Sequence, residues 1–154
     1  MYVTVDPTGG GSHGLDPQNG FTGTNVLGYN LNGDYPNNLT VKYATTTPLN
    51  LAGVTQTELR FRRWLGVESS TFDHASIQAG PSFSETSWSL QTYSLAAVAD
   101  NQPAVRIRWG MGPTDGSVTY PGWNLDDIQI WGLVPTLCNP CDVNCDGSVN
   151  GQDI

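Results

Sequence analysis

Oxygen-bearing side chains recur at alternate positions in the final stretch of the sequence, DVNCDGSVNGQDI. Calcium takes about six to eight oxygen ligands, and a loop of about twelve residues supplies them at alternate positions, with glycine sixth. Counted from Asp142, Gly147 is the sixth residue. The pattern predicts a calcium loop over residues 142–154, and the alternative is a surface turn that binds no metal. The expected ligands are Asp142, Asn144, Asp146, Ser148 through its carbonyl, Asn150 and Asp153.

Three cysteines surround the start of this loop, at Cys138, Cys141 and Cys145. A zinc site needs a fourth ligand, and the two histidines, His13 and His74, are distant in sequence. A secreted protein would instead form one disulfide within the trio and leave one cysteine over. Each of the three pairings remains open, although Cys138 with Cys141 makes the tightest ring.

Aspartate at the last loop position makes residues 142–154 resemble the first calcium loop of a dockerin, a module that anchors secreted proteins by docking into a cohesin. The resemblance implies calcium and covers this stretch alone. The helix, second loop and second helix of a dockerin do not follow in the sequence. We therefore expect a fragment of a longer protein, and a cohesin-like partner only where the full dockerin is present.

Two further carboxylates stand at the beginnings of candidate strands, Asp126 in NLDDIQIWG and Asp73 in DHASIQA. Strand side chains alternate, so Asp126 is expected on the same face as the apolar Ile128 and Ile130. A buried carboxylate is costly unless it is paired or bound to a metal, and two close together repel each other. Asp126, Asp73 and Glu68 are therefore predicted to form a structural calcium site at one end of the domain. The alternative is pairing with arginines or loop amides.

Apolar residues alternate along most of the chain, which favours strands. Only residues 95–100 suggest a helical turn, while 6–24 read as loop. The pattern predicts an all-β, two-sheet antiparallel jelly-roll sandwich over 1–132, a linker over 133–141 and the partial calcium loop over 142–154. The candidate strands are 24–31, 38–44, 57–64, 73–79, 87–95, 103–110 and 124–132.

Three stretches, FRRWLGVESSTFDHASIQ, SWSLQTYSLAAVADNQPAVRIRWG and GWNLDDIQIWG, resemble the MAM-type jelly rolls of the concanavalin A-like lectin/glucanase fold. The resemblance spans about residues 20–132. Bacterial members accompany secreted immune inhibitor A-like metallopeptidases and large surface proteins, and endings similar to DVNCDGSVN occur on secreted proteins of planctomycete-like bacteria. The family implies a jelly roll, a structural cation and a role in adhesion or as an accessory module.

The charge balance and hydropathy exclude some partners. The net charge is −8 and the sequence pI is about 4.3, which argues against nucleic acid, since phosphate binding needs a basic surface. The sequence has no apolar run long enough for a transmembrane helix, so membrane insertion is not expected. The acidic composition suits a secreted, extracellular or cell-surface protein.

Catalytic patterns are missing from the sequence. Glucanases of this fold carry an E-x-D-x-x-E trio on one strand, and neither that trio nor the zinc-protease motif H-E-x-x-H occurs here. His74 is the only histidine in its region, so a base beside a nucleophile is not indicated. We therefore do not expect an enzyme.

Binding is the better hypothesis. Arg60, Arg62, Arg106 and Arg108 alternate outward on two candidate strands, and would form a positive stripe for acidic glycans or a neighbouring domain if those strands share a sheet. The alternative is weak pairing with surface acids.

Aromatic residues in turn regions are the other binding candidates. Trp123 and Tyr120, and also Tyr35, could stack on sugar rings or instead pack in the core. The functions left open are a non-catalytic adhesion or carbohydrate-binding module, an accessory domain of a secreted metallopeptidase or glycosidase whose catalytic part is missing from this chain, and a bare spacer.

Overall fold

The computed structural model of the protein describes residues 3–4, 10–11, 13–31, 33–76 and 83–135. The predicted calcium loop over 142–154 and the three cysteines lie outside the described residues, as do most of the 133–141 linker and the end of the predicted 73–79 strand.

Strands dominate the described residues, which confirms the all-β prediction. The single described helix, α1, covers Ala96–Ala99, within the predicted helical turn. At four residues it is far too short to cross a membrane, and no other helix is described. The strands are β1 (Val3–Thr4), β2 (Gly10–Gly11), β3 (Gly14–Leu15), β4 (Asn25–Gly28), β5 (Lys42–Thr45), β6 (Thr55–Val67), β7 (Phe83–Ser84), β8 (Ser89–Ser94), β9 (Arg108–Met111) and β10 (Gly122–Leu133).

The larger sheet is built around the two longest strands, β6 and β10. They pair antiparallel from Gly122 opposite Gly66 to Leu133 opposite Thr55. The strand order is β1-β4-β10-β6-β7, and β8 also pairs with β6. A second sheet contains β5 and β9, and the short β2 and β3 form a separate ribbon. Ala75, from the predicted 73–79 strand, makes only an isolated bridge to Met111 of β9.

The core lies between the two sheets, so the architecture is a sandwich. Phe61 of β6 and Trp109 of β9 meet edge to face with ring centroids 5.7 Å apart. Trp123 of β10 donates its indole N–H to the carbonyl of Gly110, 3.2 Å away. Apolar burial of this kind is the dominant favourable term in folding. The jelly-roll connectivity itself stays a prediction.

A β-bulge interrupts β10 immediately after Asp126. The register shifts between Asp126 and Gln129, and Asp127 has a φ of 47°. Leu125 faces the core before the bulge and Ile128 packs against it afterwards, because the extra residue reverses the alternation. The prediction that Asp126 shares a face with Ile128 and Ile130 is therefore wrong, and Asp126 lies on the outer face of the sheet.

The N-terminal segment, residues 13–24, lies across this outer face. Trp64 of β6 donates its indole N–H to the carbonyl of Leu15 at 2.8 Å, and Trp88 donates to the carbonyl of Asn19 at 3.3 Å. The two indole rings also contact each other at 6.0 Å. Two tryptophans, one in β6 and one just before β8, thereby bind the backbone of a segment that has little regular structure of its own.

Candidate metal centre

Three carboxylates meet at the end of the sandwich where β6 ends and β10 begins. Glu68, Asp73 and Asp115 each place a carboxylate oxygen within 4.8 Å of the others. We call them the carboxylate cluster. Glu68 directly follows β6, Asp73 lies in the turn after it, and Asp115 lies between β9 and β10. Three separate backbone positions therefore converge on one small volume.

Asp73 is fully buried and is oriented by two hydrogen-bond donors. The hydroxyl of Tyr35 donates to its Oδ2 at 2.5 Å, and the amide of Asp115 donates to its Oδ1 at 2.8 Å. Burial, together with the Asp73 hydrogen bond, raises the pKa of Tyr35, so the phenol keeps the proton that it donates. The Tyr35 oxygen in turn accepts the amide of Glu68 at 3.2 Å. Tyr35 therefore fixes the positions of Asp73 and Glu68 relative to each other.

The Asp115 loop is held by its own polar groups. The carboxylate of Asp115 accepts hydrogen bonds from the amide of Ser117 at 2.8 Å and from its hydroxyl. The hydroxyl of Thr114 accepts the amide of Leu39 at 2.8 Å and donates to the carbonyl of Pro36. These bonds fix the backbone around Asp115, together with the hydrogen bond from its amide to Asp73.

The electrostatics of the cluster favour a bound positive charge. Burial raises the pKa of Glu68, the charges of Asp115 and Asp73 raise it further, and His13 acts in the opposite direction. Like charges so close together raise each other's proton affinity unless a cation lies between them. Carboxylate oxygens are hard ligands that suit calcium, magnesium or manganese. The arrangement can therefore hold a divalent ion.

Asp126 occupies a different place from the other two predicted ligands. Its Oδ2 accepts the amide of Thr22 at 3.1 Å and its Oδ1 accepts the amide of Asp127 at 2.9 Å. Thr22 also donates its hydroxyl to Asp127. The structure thus brings Glu68 and Asp73 together but places Asp126 under the N-terminal segment, where it fixes that backbone.

Asp115 is the cluster member that the sequence analysis missed. It lies in the turn GPTDGSVTY, where no strand alternation exists to assign it a face. The only local signal was the Asp-Gly pair, which indicates a turn and does not indicate a ligand.

The four arginines do not form one stripe. Arg60 and Arg62 belong to β6 in the larger sheet, whereas Arg108 belongs to β9 in the second sheet, and Arg106 is exposed just before it. Three of them lie over aromatic rings. The guanidinium of Arg60 is 5.0 Å from the Trp131 ring, that of Arg62 is 3.9 Å from Phe21, and that of Arg108 is 4.4 Å from Tyr43.

The aromatic candidates for sugar stacking are mostly enclosed. Trp123 is 5% exposed and Tyr35 is 1% exposed, so neither presents a ring face to solvent. Tyr120 is half-buried, with its ring centroid 5.4 Å from that of His13. The exposed indole is that of Trp131, at 53%, on the outer face of β10. Sequence analysis passed over it because it belongs to a strand and not to a turn.

A cleft of about 690 Å³ opens between the two sheets. Its walls are apolar, from Leu27, Leu49, Trp109 and Ile128, and its polar lining comes from the threonines at 45–47. None of the lining residues is ionisable, so the cleft offers no acid, base or metal ligand for chemistry.

The comparisons with known proteins give no relative: no protein-family model matches the chain, and no curated protein matches its sequence.

Proposed function

We propose that this chain is a non-catalytic, calcium-binding β-sandwich module of a secreted protein, used for adhesion or carbohydrate binding. The observation that carries the proposal is the carboxylate cluster, in which three acids from separate backbone positions lie within 4.8 Å. A cation there joins the end of β6 to the β9–β10 connection. Its role is structural, because it stabilises the end of the sandwich.

Calcium fits the cluster better than other common ions. All three side chains supply oxygen, and calcium accepts irregular oxygen geometries with water in the remaining positions. Magnesium demands a near-octahedral arrangement and dehydrates reluctantly. Zinc and copper favour nitrogen or sulfur ligands. Calcium is also abundant outside cells, where an acidic protein with a net charge of −8 is expected to work.

The non-catalytic assignment is supported by the state of Asp73. A retaining glycosidase needs a carboxylate nucleophile that faces the substrate. Asp73 is fully buried and both of its oxygens already accept hydrogen bonds, so it has no free approach to a sugar carbon. Glu68 and Asp115 are half-buried and are better placed to complete an ion's coordination.

Calorimetry and thermal unfolding of the full chain test the calcium site. We expect calcium to bind with measurable heat, and an ion present at about 100 times its Kd stabilises the fold by about 2.7 kcal/mol. Asp115→Asn should remove the part of this stabilisation that the carboxylate cluster supplies. The matched control is Asp146→Asn, which alters only the predicted loop at 142–154. If Asp115→Asn melts with the same calcium dependence as the unaltered protein, the cluster does not hold the ion.

The binding face is tested separately. The indole of Trp131, with the guanidinium of Arg60 at 5.0 Å, is the most exposed aromatic surface on the larger sheet. A glycan array should show sugar binding that Trp131→Ala abolishes and that Val98→Ala, at a still more exposed position on α1, leaves intact. An array without any reproducible ligand would favour the bare spacer.

A further inference from the structure

A second group of oxygens, which shares no residue with the carboxylate cluster, lies between β10 and the N-terminal segment. Asn124 of β10 is 1% exposed, and its Nδ2 donates to Oδ1 of Asp16 at 2.9 Å. Asp16 is 6% exposed. This bond identifies which end of the Asn124 amide is nitrogen, so its Oδ1 must be the acceptor. Within the described residues neither Oδ1 of Asn124 nor Oδ2 of Asp16 has a hydrogen-bond partner, and both are buried.

The Asn124 oxygen lies directly above a glycine. Asn124 is opposite Gly28 of β4 in the sheet, and a Cβ added to Gly28 would lie 2.5 Å from that oxygen. The same Cβ would also collide with the side chain of Leu31. The absence of a side chain at position 28 therefore leaves room for the Asn124 amide.

A third oxygen donor comes from the connection after β4. The charge of Asp34 acts on Asp16, whose pKa is raised to about 6, chiefly by burial and further by Asp34. The Oδ2 atom of Asp34 accepts a hydrogen bond from the hydroxyl of Thr119 at 2.9 Å, and this bond orients the Asp34 side chain. Asn124 and Asp16 are thus joined by a hydrogen bond, and Asp34 is near enough for its charge to act on Asp16.

Buried acceptors without donors are costly, and a neighbouring negative charge increases the cost. Only a positive species resolves both problems, and two carboxylates with an amide carbonyl are hard ligands. We propose that Asp16, Asn124 and Asp34 form a second calcium site, distinct from the carboxylate cluster, that attaches the N-terminal segment to the outer face of the larger sheet. The site shares no residue with the cluster, so single substitutions can test the two sites separately.

A metal ion fits this arrangement better than a proton. Protonated Asp16 would donate from Oδ2 to Asn124 and satisfy that single pair, but Asp34 would keep its charge nearby. A divalent ion compensates both carboxylates and accepts the amide oxygen as a ligand. Attachment of the segment also agrees with the neighbouring bond from Trp64 to Leu15, the residue before Asp16.

The test is Asp16→Asn in the full chain that already carries Asp115→Asn. The new amide can donate to Oδ1 of Asn124, so it replaces the ion without leaving a buried acceptor. We expect the double variant to bind one calcium equivalent fewer than the Asp115→Asn parent in calorimetry. In chelator it should melt no lower than the parent, which separates loss of a site from loss of the fold.

Terbium luminescence provides the second readout. Trp64 is opposite Asn124 in the sheet and can sensitise a lanthanide bound there. Emission excited through tryptophan should be present in the Asp115→Asn parent and should decrease strongly in the double variant and in Asp34→Asn. The proposal is overturned if the double variant binds as many ions as its parent. It is equally overturned if calcium does not raise the melting temperature of the Asp115→Asn parent and the parent shows only the titration of Asp16 near pH 6. That result would identify a proton as the bound species.

Discussion

Asp73 and Asp126 are both almost completely buried carboxylates, 0% and 6% exposed, yet their surroundings differ. Asp126 accepts two backbone amides and is not part of the carboxylate cluster. Asp73 also accepts two donors, but it lies beside Glu68 and Asp115. Hydrogen-bond donors can compensate one carboxylate for the loss of water. They do not cancel the repulsion among three, which a proton or a cation relieves.

The same contrast extends to the pKa values of other acids. Burial raises the pKa of Glu68 and of Asp16, and in each case a neighbouring carboxylate raises it further. Asp100 has the opposite surroundings, because hydrogen bonds from Thr57 and Gln56 lower its pKa. Crowded acids and amide-bonded acids should therefore respond to pH in opposite directions, and only the crowded acids should respond to calcium.

The largest expected effect compares Asp73→Ala with Asp126→Ala. Each leaves two hydrogen-bond donors without an acceptor, and a buried donor left unpaired costs about 1–3 kcal/mol, so both variants should be less stable in chelator. Only Asp73→Ala should also remove the part of the calcium-dependent stabilisation that the carboxylate cluster supplies. Urea unfolding with and without calcium measures both quantities. The comparison fails if Asp126→Ala removes the calcium effect and Asp73→Ala retains it.

Gly20→Ala tests how closely the N-terminal segment approaches Asp126. A Cβ at position 20 would lie 2.5 Å from the carbonyl oxygen of Thr22 and 2.8 Å from Oδ2 of Asp126. Forcing a methyl group into so tight a place costs about 1–3 kcal/mol. The matched control is Gly116→Ala, where the nearest atom is 3.6 Å away, and a change within about 0.5 kcal/mol is expected there. Equal stabilities for the two variants would show that the segment is not held as described.

The pH dependence in chelator should reveal the crowding of Glu68. Its folded-state pKa is raised, so its contribution to stability is complete below the unfolded pKa and is lost as pH rises through the folded value. Stability without calcium should therefore decrease over that range, and Glu68→Gln should remove part of the decrease. Saturating calcium should reverse the slope, because the ion binds the ionised form. Thermal unfolding at a series of pH values checks this, and an identical slope in Glu68→Gln would contradict it.

The smallest effect is expected at Asp100, the amide-bonded counterpart. Its carboxylate accepts the amides of Gln56 and Thr57 at 2.9 Å each, and its pKa is lowered. Its contribution to stability is present above the unfolded pKa near 3.8 and is lost as pH falls through the folded value. Asp100→Asn should slightly lower the melting temperature at neutral pH, with no change in the calcium effect, and the difference should vanish in acid. A difference that persists at low pH would exclude this explanation.

The fold was predictable where apolar and polar residues alternate without interruption. In β6 the buried residues Leu59 and Phe61 alternate with arginines, and the strand is found where the pattern places it, although it extends further at both ends. In β10 the alternation fails at Asp127, because a bulge depends on how the partner strand pairs and leaves no clear mark in the sequence.

The carboxylate cluster, too, could be predicted only in part. Glu68 and Asp73 are only a few residues apart, so their proximity could be expected from the sequence. Asp115 joins them because the chain around His74 pairs with the chain around Pro113, with the amide of His74 bonded to the Pro113 carbonyl at 3.1 Å. That pairing is a long-range contact, and local residue patterns do not encode its position.

The sequence by itself determined an acidic, strand-rich chain with apolar residues on alternate positions, because side-chain period and composition are local properties. It also indicated that some aspartates would be buried. Only the tertiary structure decided which acids meet, which are bonded to backbone amides, and that Trp123 packs inside while Trp131 faces solvent. The physical reason is that electrostatic and packing energies depend on distances between residues far apart in the chain, and those distances exist only after folding.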